Sequence, residues 1–74
     1  MNFTRHFYEL NRLNRFINTI DDSQMRMIFS LRYINGLNWL QIAFSIGGGN
    51  TADSVRKAHD RFLVRQKKLS VLSG

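Results

Sequence analysis

Apolar residues recur along this chain at spacings of three and four, and no stretch alternates with the period of two that a half-buried strand requires, so the pattern predicts helices throughout. In the first segment Phe3, Phe7, Leu10, Leu13, Ile17 and Ile20 step by 4, 3, 3, 4 and 3. That lays one apolar stripe along a helix whose other face carries Arg5, Glu9, Arg12 and Arg15. Asn2 or Thr4 is placed to cap its start. The stripe serves either to pack this helix on its own domain or to form a seam with a second copy, a homodimer. Asp21, Asp22 and Ser23 then offer short side-chain oxygens that satisfy orphan amides at a helix start, and acids suit the positive end of the dipole. This cap predicts a second helix from about Ser23 to Asn35, with Met25, Ile28, Phe29, Leu31, Arg32 and Tyr33 crowded on more than one side. Gly36 ends it in the left-handed conformation, with Leu37 folding back on the last turn.

Asn38 stands as the N-cap of a short third helix, Trp39 to Ile46. There Trp39, Ile42, Ala43 and Ile46 fall at i, i+3, i+4 and i+7 and form one buried face. Ala43 is small enough to let a neighbouring helix cross closely. The chain has five glycines and no proline, so the run Gly47, Gly48, Gly49 is its strongest local break. Asn50 or Thr51 caps a fourth helix from about Ala52 to Lys68, with Val55, Ala58, Phe62 and Leu69 on its core side and His59 or Leu63 at the margin. The expectation is an all-α, small four-helix domain containing a helix-turn-helix. Residues 1–20 form the N-terminal amphipathic helix, residues 21–69 the helix-turn-helix domain, and residues 70–74 a flexible tail.

Composition narrows the chemistry. Seventy-four residues bury a modest core. The absence of cysteine removes disulfides and thiolate ligands, and His6 and His59 are too far apart in sequence to build a metal site by themselves. No metal and no cofactor is expected. The opening residues MNFTRHFYEL lack the apolar run of a signal peptide, and nothing approaches the roughly 20 apolar residues of a membrane span. The chain reads as cytoplasmic. A basic amphipathic helix on a membrane surface is disfavoured because the apolar stripe is needed for folding. The formal charge is +6, and from Thr51 onward six basic residues (Arg56, Lys57, Arg61, Arg65, Lys67, Lys68) stand against Asp53 and Asp60, so that third carries +4. Such a balance favours polyanionic partners.

A short helix, a glycine-containing turn and a second helix with a basic exposed side is the layout that places the second helix in the major groove of double-stranded DNA. Once the core positions are removed, Ala52, Asp53, Ser54, Arg56, Lys57, Asp60 and Arg61 remain as the candidate reading surface. The glycines could also cradle a phosphate at the helix N-terminus, but no strand precedes them and GGGNTADS lacks a P-loop lysine. His59 next to Asp60 resembles a base with its orienter. Neighbours on a helix point about 100° apart, however, and no nucleophile accompanies them. A semi-buried histidine, with an acid that pairs with Arg56, Lys57 or Arg61, is the better reading, and no enzyme activity is expected. Asp21 and Asp22 read as a cap, and Trp39, Phe29 and Tyr33 as core aromatics.

The span from Asp22 to Leu63, through LRYINGLNWLQIA and SVRKAHDRFL, resembles the fourth-region helix-turn-helix of sigma-70-type factors and of small sigma-like transcriptional regulators from phages and prophages. The combination of Leu31, Arg32, Tyr33, Gly36, Trp39, Ile42 and Ala43 carries the resemblance. It implies transcription regulation in a bacterial host cell, with Thr51, Ala52, Asp53, Ser54 and Lys57 facing bases and Arg56 and Arg61 on phosphates. The GGGNT turn is longer than that family's usual one, and Ala52 and Ser54 stand where many members carry arginines, leaving fewer long side chains to reach guanine. Losing Arg56 or Arg61 is then expected to weaken binding to all sequences, whereas changing Lys57 or Asp53 alters preference. The alternative is a phage-encoded interaction protein that uses the same scaffold to bind and inhibit or redirect a host protein, such as RNA polymerase or a defence nuclease of the CRISPR type.

Overall fold

The computed structural model describes the backbone of residues 3–73 and the side chains of residues 10–68. It contains helices α1 (Phe3–Asn18), α2 (Ser23–Phe29), α3 (Trp39–Ile46) and α4 (Ala52–Ser73), and α2 runs on into a π-helical turn over Ser30–Ile34. No strand occurs among the described residues, so the chain is all-α, as the apolar spacing predicts. It divides into two compact units, Met1–Leu37 and Asn38–Gly74.

In the first unit Ile17, Ile20, Ile28 and Phe29 are buried, while Leu10 of the predicted stripe stays exposed. Phe16 lies off the stripe, yet its ring meets Phe29 edge-on with centroids 5.9 Å apart, and Tyr33 tilts against the same ring at 5.5 Å. Tyr33 is thus an exposed flank of the core and not part of its interior. The expected positions Phe3 and Phe7, and the caps Asn2 and Thr4, lie outside the described side chains. Asp22 caps α2 by accepting from the amides of Gln24 (2.9 Å) and Met25 (3.1 Å). Arg26 secures the preceding link by donating to the Ile20 carbonyl at 2.7 Å.

The end of the second helix departs from a plain α-turn. The Asn35 amide donates to Ser30 five residues back, and Leu37 donates to Leu31 six back. Gly36 supplies the positive φ of 72° that this reversal needs. The glycine-closed helix end is therefore present but one residue wider than the usual closure, because the π turn inserts a residue. Arg32 also donates to the Leu37 carbonyl at 3.1 Å.

In the second unit α3 occupies its predicted span. Asn38 accepts from the Gln41 amide at 2.8 Å, and the Gln41 side chain accepts from the Asn38 amide at 2.9 Å, a reciprocal capping box. Ile42 and Ala43 are buried, and so are Val55 and His59 on α4. The ring of His59 lies edge-on to Trp39 with centroids 4.9 Å apart. α4 continues to Ser73, past the end expected near Lys68. The Leu69 side chain and those of the expected tail, 70–74, lie outside the described residues.

Candidate nucleic-acid interface

The turn between α3 and α4 explains the three glycines. Gly47, Gly48 and Gly49 all have positive φ (66°, 65° and 78°), and Gly47 adds a ψ of −150° that is essentially restricted to glycine. A Cβ at Gly47 or Gly49 would meet nothing within 4 Å, so backbone conformation and not space demands glycine there. Asn50 ties the turn by donating to the Gly47 carbonyl through its side chain (2.7 Å) and its amide (3.3 Å).

Thr51 then starts α4. Its Oγ1 accepts from the Ser54 amide (3.1 Å), its own amide donates to Ser54 Oγ (2.9 Å), and the Ser54 hydroxyl donates back to the Thr51 carbonyl (3.0 Å). Thr51 and Ser54, two of the five residues expected to face bases, thus hold the helix start, although they remain exposed. Asp53 in the first turn complements the helix dipole.

Around α4, Val55 and His59 are buried and Ala58 and Phe62 half-buried. The opposite face is open and carries Asp53, Lys57, Asp60, Arg61, Val64 and Lys68, and Arg65 is exposed at the margin, about 20° round the helix from Ala58. Of the predicted site residues, Arg56, Lys57 and Arg61 all face solvent, and Ala52 is half-buried. The cations differ in what surrounds them. Arg56 lies between Asp53 (2.9 Å) and Asp60 (3.7 Å), and Lys57 meets Asp53 at 3.1 Å. The hydrogen bond from Arg56, and then that from Lys57, holds the Asp53 carboxyl below its ordinary pKa. Among the described residues no carboxylate pairs with Arg61, Arg65, Lys67 or Lys68.

His59 and Asp60 do come together, with Nδ1 3.0 Å from Oδ1, even though the two residues leave the helix in different directions. Asp60 also faces Arg56, and the buried imidazole packs on Trp39, so the pair anchors the α3–α4 contact. Among the described residues no three His, Cys, Asp or Glu side chains gather as a metal site, and no described helix is long and apolar enough to cross a membrane.

One exposed surface lies outside the residues that the apolar spacing and the charge pattern single out. Leu40 and Phe44 sit one turn apart on α3 and are exposed, Phe44 at 81%. With Ala43, Gly47, Thr51 and Ala52 they line an open groove of about 340 Å³ beside the glycine turn. The signal was present: both residues fall off the i, i+3, i+4, i+7 face that fills the core. Comparison of the chain with protein-family models, curated proteins and solved structures finds no match.

Proposed function

We propose that the protein is a DNA-binding transcriptional regulator that docks α4 in the major groove of double-stranded DNA, like the phage sigma-like regulators that its residues resemble. One observation carries the reading: behind the glycine turn, α4 buries one face and leaves the opposite, cation-bearing face open to solvent. Helix α3 braces it, and the exposed arginines and lysines supply phosphate contacts whose strength falls with salt. Binding of a short labelled duplex, followed by anisotropy through a salt titration, tests the reading. Arg61→Ala is expected to lower the slope of log K against log salt by about 0.9 if it neutralises one phosphate. An unchanged slope would remove α4 from the interface.

The exposed Phe44 and Leu40 favour a second reading, in which the unit binds a host protein through the groove beside the turn. Phe44→Ser separates the two. It leaves duplex affinity intact if α4 is the contact surface, and it abolishes binding to a purified host target, such as RNA polymerase, if the groove is.

A further inference from the structure

A row of cations on α4 continues past the residues that a helix-turn-helix layout uses. Lys57, Arg61, Arg65 and Lys68 step by 4, 4 and 3. At about 100° and 1.5 Å per residue they share roughly 80° of the helix surface and span about 16 Å along its axis. All four are exposed, and α4 is unbroken from Ala52 to Ser73, so the backbone holds the row rigid. The acids lie on the other flank, where Asp53 and Asp60 hold Arg56. Among the described residues only Lys57, the head of the row, is shared with a carboxylate.

We propose that this row is a phosphate-tracking edge, with α4 lying lengthwise along the major groove and Arg61, Arg65 and Lys68 against the phosphates of one strand. The inference rests on the duplex reading above and extends it to Arg65 and Lys68. The groove is about 12 Å wide and Lys68 stands about 16 Å along the axis from Lys57, so a helix crossing the groove carries Lys68 past the far backbone, whereas a lengthwise helix keeps the whole row beside one strand. The flank bearing Asp53 and Asp60 turns away from the phosphates that would repel it and toward base edges, where a carboxylate can accept from cytosine.

Lys67 and Lys68 provide the test. They are adjacent, both exposed, and about 100° apart around the helix, so Lys67→Ala and Lys68→Ala remove the same charge from different faces. Alanine preserves the helix, and circular dichroism confirms it. In duplex titrations Arg65→Ala and Lys68→Ala are each expected to lower the salt slope by about 0.9, while Lys67→Ala leaves it unchanged. The Arg65→Ala, Lys68→Ala double variant then loses on the order of tenfold less affinity than the wild type between about 50 and 200 mM salt. Equal effects of Lys67→Ala and Lys68→Ala would reduce the row to bulk charge and overturn the proposal. A slope that responds to Arg61→Ala but not to Arg65→Ala or Lys68→Ala would end the contact at Arg61 and overturn lengthwise docking alone. A wild type that ignores the duplex would remove both readings. Tighter binding to a labelled polyglutamate peptide than to the duplex would assign the row to an acidic protein surface.

Discussion

Arg56 and Arg61 stand on the same exposed helix and differ in what already holds them. Arg56 sits between two carboxylates, so contacting a phosphate would require it to leave Asp53 and Asp60, whereas no described carboxylate pairs with Arg61. Arg61→Ala is therefore expected to lower the salt slope of duplex binding by about 0.9, and Arg56→Ala by much less. Equal slopes for the two variants would show that the ion pairs do not restrain Arg56. Asp53 works in the opposite sense. Its carboxylate engages two cations, so Asp53→Asn, which releases Lys57 and loosens Arg56, is expected to tighten binding at low salt and steepen the slope, read by the same titration. For stability the sign follows from the depressed pKa of Asp53. Its contribution is fully present above the ordinary value of 3.8 and is lost as pH falls through the lower folded value. Urea midpoints of wild type and Asp53→Asn should differ by a constant amount from neutral pH down to about 4 and converge below it.

At the scale of helices and turns, the features legible in the sequence were those set by near neighbours. Asn38 and Gly36 mark chain reversals through their own backbone chemistry, and the Trp39–Ile46 period fixes α3 and its buried Ile42 and Ala43. The exposure of Arg56, Lys57 and Arg61 followed from Val55, Ala58 and Phe62 facing inward. The π turn was not legible, because an i→i+5 bond leaves almost no mark on a three-and-four apolar spacing. Neither was the division of cations into those that Asp53 and Asp60 hold and those that meet no described carboxylate, since several pairings suit the same residues and side-chain reach decides among them. The glycine turn gives the sharpest expectation at this scale. An L side chain in left-handed conformation costs about 1–2 kcal/mol, and glycine itself is favoured there only by conformation. Gly48→Ala is expected to destabilise the second unit by about that much, and Gly47→Ala by at least as much because of its ψ. Trp39 fluorescence during urea unfolding reads both; a midpoint unmoved by Gly47→Ala would mean that the turn relaxes without cost.

Over the whole molecule, the two units can be followed by different signals. Trp39 is the chain's one tryptophan and lies against His59 in the second unit, so its fluorescence reports that unit, whereas far-UV dichroism sums the helices of both. A ligand that binds only the folded state stabilises it by about 2.7 kcal/mol at a hundredfold excess over Kd. For a domain this small that is a rise in midpoint on the order of 10 °C. Because α4 carries the proposed contacts, saturating duplex at low salt is expected to raise the Trp39 midpoint by that amount. Raising the salt should return it to the free value, since each phosphate contact released costs affinity as log K falls with log salt. The distribution of charge makes this a test of place as well as of binding. Arg5, Arg12, Arg15, Arg26 and Arg32 lie in the first unit, and contact through them would raise the dichroism midpoint while Trp39 melted as before. That outcome would move the nucleic-acid surface off α4, whereas a salt-reversible rise at Trp39 is what docking by α4 requires.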